Sequence, residues 1–407
     1  MLKIKSITCH RIVNSRGDWT IETKITLDDG SEGIQTIPDG ASKGENEAVY
    51  IPVRKSVDIV STVINDALKG ENAEDYVGID NALLSMDGTP NKSNLGANSI
   101  LSVSLALSKA VAESKKLELY QYLSFLYSGK CLKRDNLKFP IPVFNVINGG
   151  KHANNGLSFQ EFMVIPALGT KYEKCMDIGV DVYKDLEKIL QNNGFDVDVG
   201  DEGGFAPNGL TAEKALDFVT EAVSKKFKIE EEVTLGLDVA AESFYDSEEY
   251  KIEEENLLLS RKEFLEYYKK LLSKYKITYV EDPYYERDTQ AWKDFMVEFG
   301  DKIMVVADDL VVTNPRLLKD AISQNLANAV IVKPNQIGTL SETFDFIKLA
   351  QKNKMTICVS HRSGDTAEDT FIADLSLAVG AEFMKSGAPV RGERVAKYNR
   401  LLDIYLS

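Results

Sequence analysis

Apolar and polar positions alternate at the start of the chain. Leu2 to Val13, Trp19 to Leu27 and Ser31 to Ile37 read as strands, separated by turn signals at Ser15-Arg16-Gly17 and Asp28-Asp29-Gly30. The pattern predicts an antiparallel meander. From Asn46 to Leu126 the spacing becomes helical, most clearly in Leu95, Ile100, Val103, Leu107 and Val111, with Asn94 as the expected helix cap. A polar, basic stretch, Ser128 to Lys138, then leads into Phe139-Pro140-Ile141-Pro142, whose prolines suit a connector. The division is expected near Lys138, with an α+β domain over residues 1–138 and a second domain over 139–407.

Beyond that point short apolar runs alternate with amphipathic helical segments, two of them announced by capping boxes, Ser260 with Glu263 and Thr339 with Glu342. Such alternation implies a parallel sheet. Each of six runs ends on an ionisable residue: Leu235-Gly-Leu at Asp238, Ile277-Thr-Tyr-Val at Glu281, Ile303-Met-Val-Val-Ala at Asp308, Ala329-Val-Ile-Val at Lys333, Thr356-Ile-Cys-Val-Ser at His361 and Glu382-Phe-Met at Lys385. The spacing, about 24 to 43 residues, is that of one strand-helix unit, and a closed barrel brings such strand ends together on one face. The fold class expected is therefore α/β, a β/α barrel preceded by a smaller N-terminal α+β domain.

Charge narrows the function. Against 63 Asp plus Glu stand 48 Lys plus Arg, a net −15, and no basic run tracks a phosphate backbone, so nucleic-acid binding is not expected. No apolar stretch reaches the ~18 residues of a membrane span, and the charged first residues are unlike a secretory signal. The four cysteines, Cys9, Cys131, Cys175 and Cys358, form no CxxC pair, which fits reduced thiols in a cytoplasmic protein.

Asp238, Glu281 and Asp308 on one rim would repel one another unless a cation sat among them, and an all-oxygen set points to magnesium. Lys333 and Lys385 close the same rim, where crowding of ammonium groups favours one neutral amine, a usable general base. His361-Arg362-Ser363-Gly364 offers an imidazole, a guanidinium fork and a hydroxyl, a combination suited to phosphate or carboxylate. Glycine-flanked loops add His152, Gln160, Glu161 and Glu202. No GxxxxGK[ST], GxGxxG, HExxH or GxSxG occurs, and Asp196-x-Asp198-x-Gly200-Asp201 fails as a calcium loop.

Read together, Leu95-Gly-Ala-Asn, Asn148-Gly-Gly-Lys-His-Ala, Gln160-Glu-Phe-Met, Val199-Gly-Asp-Glu-Gly-Gly-Phe-Ala-Pro, Leu237-Asp-Val-Ala, Val280-Glu-Asp-Pro, Ala307-Asp-Asp-Leu, Asn335-Gln-Ile-Gly-Thr-Leu and Ser360-His-Arg-Ser-Gly resemble the enolase family over nearly the whole chain. The resemblance implies magnesium-dependent dehydration of 2-phosphoglycerate to phosphoenolpyruvate, with two Mg2+ per site. It assigns Lys333 as the base at carbon 2 and Glu202, supported by Glu161, as the acid at the carbon 3 hydroxyl. Asp238, Glu281 and Asp308 would hold the first metal and Ser42 would help hold the second. Arg362 and Ser363 would contact phosphate, and His152, His361, Lys385 and Gln160 would surround the substrate. A homo-oligomer, dimer or octamer, is implied as well.

The chain departs from the family where Asp39 and Lys43 flank Gly40-Ala41-Ser42, where residues are missing after Ala48, at Asp18-Trp19 and at Ala367. The competing readings are another superfamily dehydratase acting on an acid sugar, which has less reason to keep Arg362-Ser363 and Glu202, and a non-enzymatic paralogue, which would have lost site residues.

Overall fold

The computed structural model describes residues 1–41 and 43–407. Three strands open it: β1 (Ile4–Val13), β2 (Trp19–Leu27) and β3 (Glu32–Thr36), paired antiparallel in that order with a register shift between Ile4 and Ser6. The helix Ala97–Ser114 lies so close on this sheet that a Cβ at Gly33 would strike the backbone of Ala106 and Ala110. Only glycine permits that approach.

Two expectations move here. The helical region starts at Val53, directly after Pro52, rather than at Asn46. The cap of the long helix is Gly96, with φ 88°, rather than Asn94. Asp87 explains the second shift: its carboxylate accepts from the backbone N–H of Asn94 (3.0 Å) and Leu95 (2.7 Å), and its carbonyl accepts from the Asn94 side chain (2.7 Å). Asn94 is thus held in the preceding loop.

The rest of the chain forms a closed barrel from β4 (Ile141–Asn148), β5 (Glu161–Pro166), β6 (Val233–Asp238), β10 (Ile277–Glu281), β11 (Met304–Ala307), β12 (Ala329–Val332), β13 (Thr356–Ser360) and β14 (Phe383–Lys385). A small antiparallel sheet, β7 (Tyr245–Asp246), β8 (Glu249–Ile252) and β9 (Leu257–Ser260), is inserted between β6 and β10. The barrel is not wholly parallel. β5 runs antiparallel to both β4 and β6; the connection from β4, residues 149–160, holds one 3-10 turn, Gly150–His152, and no crossover helix. Ile141, Val143, Met163, Ile165, Tyr279, Val306, Ala329, Ile331, Cys358 and Phe383 make one buried cluster, and a larger cluster includes the packed faces of the surrounding helices.

Ser260 and Glu263 form the expected reciprocal box, while Thr339 caps its helix by accepting from Glu342 N–H (3.2 Å). Glu342 Oε2 accepts from the Thr339 hydroxyl (2.6 Å) and Oε1 from Lys92 of the N-terminal region (3.1 Å), rather than from the Thr339 backbone N–H that a box requires. Further ties join the two regions. Asp39 and Gly364 exchange backbone bonds of 2.7 and 2.8 Å, and the Thr36 and Thr366 hydroxyls meet at 2.7 Å. The cysteines Cys9, Cys131, Cys175 and Cys358 are free thiols. No helix among the described residues is long and apolar enough to cross a membrane.

Candidate active site

Register explains why the site residues meet. Glu281 at the end of β10 lies opposite Asp238 at the end of β6, and Lys385 at the end of β14 lies opposite Ser360 in β13. Glu161 is different: it opens its strand. Since β5 runs the other way, its first residue pairs with the last residues of both neighbours, Asn148 and Asp238, and so reaches the same rim.

One wall of the site is built from Glu161, Glu202, His152 and His361, all at most 6% exposed. His152 Nε2 stands 3.8 Å from Glu161 Oε1 and 3.5 Å from Glu202 Oε1, and His361 Nε2 stands 3.3 Å from the same Glu202 oxygen. Asn145 donates to the other Glu202 oxygen at 3.1 Å. Burial holds both imidazoles neutral, pulling His361 down to about 3. Burial also pushes Glu161 well above the usual carboxylate range, against the pull of Lys385. Burial pushes Glu202 the same way, but the facing rings and the fixed charge of Arg394 outweigh it and hold Glu202 well below that range. Because the rings are neutral, what acts on Glu202 is ring N–H and guanidinium charge rather than imidazolium.

The expected carboxylate trio is threaded on two ammonium groups. Lys385 Nζ touches Glu161 (3.3 Å), Asp238 (3.1 Å) and both oxygens of Glu281 (3.0 and 2.8 Å), and Lys333 Nζ bonds Asp308. Gln160 reaches Asp238 Oδ2 at 3.4 Å. Burial and the charge of Asp238 push Glu281 up to about 8 despite Lys385. Burial also acts on Asp308, yet Lys333 keeps it below the ordinary range. Among the described residues, the triads whose ligand atoms all lie within 4.8 Å of one another are His152-Glu161-Glu202 and Asp282-Asp308-Asp309 rather than Asp238-Glu281-Asp308. Asp282, with φ 41°, accepts from the N–H of Asp308 (3.0 Å) and Asp309 (2.9 Å) and anchors that loop.

These residues fit a hard divalent cation. They offer buried, mutually repelling carboxylates and buried oxygens without a hydrogen-bond partner, Gln160 Oε1 and Glu161 Oε2.

The third wall is the loop after β13. Arg362, 4% exposed, donates to Glu47 Oε2 at 3.0 Å and to Asn335 Oδ1 at 3.4 Å, and Ser363 Oγ accepts from Ala41 N–H at 2.7 Å. Gly40 lies flush on the Arg362 guanidinium, leaving no room for a Cβ. Ser42 lies outside the described residues. Gly40, His152, Gln160, Glu161, Glu202, Asp238, Lys333, His361, Arg362, Ser363 and Lys385 enclose a cavity of about 20 Å³, drawn tight by its own ion pairs.

Sequence reasoning missed several side chains. Glu47 pairs with Arg362, Gln336 donates to Asp308 Oδ1 at 2.9 Å, and Tyr279 OH donates to Glu281 at 2.7 Å. Asn145 and Arg394 were missed too. Arg394 alone left a signal: Arg394, Lys397 and Leu401 fall at helical spacing on a buried face, where charge is rare.

Residues 4–123 match a family model described as the enolase N-terminal domain, and residues 136–405 match one described as the enolase C-terminal TIM barrel domain. The chain is 44% identical to a protein named enolase from Ehrlichia ruminantium (strain Welgevonden), over 99% of this chain and 96% of that protein. Enolases of Ehrlichia canis and Ehrlichia chaffeensis are 43% and 42% identical over the same shares.

Proposed function

Because the chain belongs to the enolase family, we propose that its barrel rim catalyses the reversible dehydration of 2-phosphoglycerate to phosphoenolpyruvate, as a hydro-lyase of central carbon metabolism. The observation that carries this reading is the opposition, across one small cavity, of Lys333 on one wall and the Glu202-His152-Glu161 group on another.

Proton removal alpha to a carboxylate and departure of hydroxide need a base and an acid on separate walls. Lys333 is the base: it takes the carbon 2 proton. Burial, Arg362 and Lys385 favour its free amine, but Asp308 and, beyond it, Glu281 outweigh them and hold the ammonium form above the ordinary lysine range, contrary to the neutral amine expected from crowding on the rim. It therefore acts as a free amine once those carboxylates are engaged elsewhere. Glu161 and Glu202 share His152 Nε2 and titrate as a pair holding one proton, which passes to the departing carbon 3 hydroxyl and leaves as water. Arg362 and Ser363 bind the phosphate, while His361, Lys385 and Gln160 orient the rest. Asp238, Glu281 and Asp308, with Ser42, are the residues that would hold two Mg2+ ions, whose charge would offset the negative charge that develops when carbon 2 loses its proton.

The same reading divides the chain at residues 138 and 139 and makes it a cytoplasmic homo-oligomer. The test is growth of phosphoenolpyruvate absorbance from 2-phosphoglycerate with and without Mg2+. Glu202→Gln should still exchange the carbon 2 proton with deuterium, and Lys333→Ala should not; exchange near wild type in Lys333→Ala would assign the base elsewhere.

A further inference from the structure

Arg394 is wholly buried, at 0% exposure, near the start of the last helix, Gly392–Leu406. Its guanidinium is directed at the loop after β13. Nη1 donates to the carbonyl of Arg362 at 2.7 Å and also meets Nδ1 of His361, while Nη2 reaches the carbonyl of Ser363. Arginine carries no acceptor and keeps its proton, so the His361 nitrogen it meets must present a lone pair. The ring hydrogen is thereby left on Nε2, which stands 3.3 Å from Glu202 Oε1 but outside hydrogen-bond geometry in this structure.

We propose that Arg394 is a positioning residue for the dehydration: it fixes His361 as the Nε2–H tautomer, with that N–H on the Glu202 side of the ring, and in the same grip fixes the backbone of Arg362 and Ser363. The inference rests on the enolase reading for the role of Glu202. Arg394 is itself held in register with that acid. Ser386 Oγ donates to the Arg394 carbonyl at 3.2 Å, and Gly387, with φ +74°, threads between the two residues, where a Cβ would strike both the Glu202 carbonyl and the Arg394 side chain. The charged groups around the ring are Glu202, Arg394 and Lys385, and burial keeps the ring neutral. To His361 Arg394 contributes orientation, while its charge acts on Glu202.

Three histidines in the chain make the test direct. In 15N-histidine-labelled protein without substrate, with His361→Gln as assignment control, His361 should show a pyridine-like Nδ1 and a pyrrole-like Nε2, unchanged from about pH 5 to about pH 8. In Arg394→Met the ring should sample both tautomers, and kcat should fall about 10- to 100-fold with KM changed less than about threefold. Arg394→Lys, which returns one N–H donor, should recover the tautomer and part of kcat. A wild-type ring protonated at Nδ1 overturns the proposal and needs no variant. So does an Arg394→Met protein that loses thermal stability but keeps the tautomer and its kcat per folded molecule. The spectrum is read without turnover, so a wild-type chain inert towards 2-phosphoglycerate would strike the enolase reading while the tautomer still reports on Arg394.

Discussion

Single side chains at the mouth of the site explain how this chain departs from its family without losing its chemistry. Asp39 introduces a negative charge next to the Arg362-Ser363 wall, but Lys43 Nζ lies 2.7 Å from it, and the two side chains are exposed at 40% and 46%. A screened surface pair of this kind contributes about 0.2–1 kcal/mol. A double-mutant cycle on kcat/KM with Asp39→Ser and Lys43→Thr should therefore give a coupling within that range that shrinks with added salt; additive, salt-independent effects would show that the two charges act apart. Glu47 matters more. It shares with Arg362 a buried contact that an incoming phosphate would contest. Glu47→Gln should lower the melting temperature, because a buried guanidinium loses a charged partner. Inorganic phosphate should then raise that temperature more in the variant than in wild type, which a thermal shift series in phosphate measures.

Among the elements, the loop after β11 is under visible constraint. Val312 and Thr313 are consecutive β-branched residues at φ 40° and 54°. Thr313 earns that conformation with its hydroxyl, which accepts from Lys333 N–H (2.9 Å) and donates to Gln336 Oε1 (2.8 Å), and Gln336 in turn donates to Asp308. Thr313→Val should cost about 1–3 kcal/mol in denaturant unfolding by leaving two buried groups unpaired. The elements also show what the sequence could carry. Asp238, Glu281, Lys333, His361 and Lys385 were legible because each ends a short apolar run, and parallel strands export their last residue to one rim. Glu161 obeys the opposite rule on β5, which returns from β4 without a crossover helix and so runs the other way, and nothing in the local apolar pattern encodes that reversal. Asn94 failed as a cap because Asp87, seven residues earlier, took hold of its loop. Such a contact depends on tertiary placement. Arg394 and Glu47 escaped for the same reason, since their partners lie 32 and 315 residues away.

For the whole molecule, the active site is a seam: Gly40, Ala41 and Glu47 come from the N-terminal region, and the residues they touch belong to the barrel. Lys385 sits at the centre, its ammonium group against Glu161, Asp238 and Glu281. That contact has a bearing on biogenesis. A newly made chain must gather several carboxylates in one buried place, and without compensation their repulsion would oppose closure of the barrel. Lys385 and Lys333 supply the compensation from within the chain, so the barrel can close first and acquire its metal afterwards. Refolding in a chelator should recover the native circular dichroism for the wild type, while Lys385→Met should refold only when Mg2+ is present from the start. Equal yields for the variant with and without Mg2+ would show that the lysine is not a counter-ion held in trust for the metal, and that the order of maturation is set elsewhere.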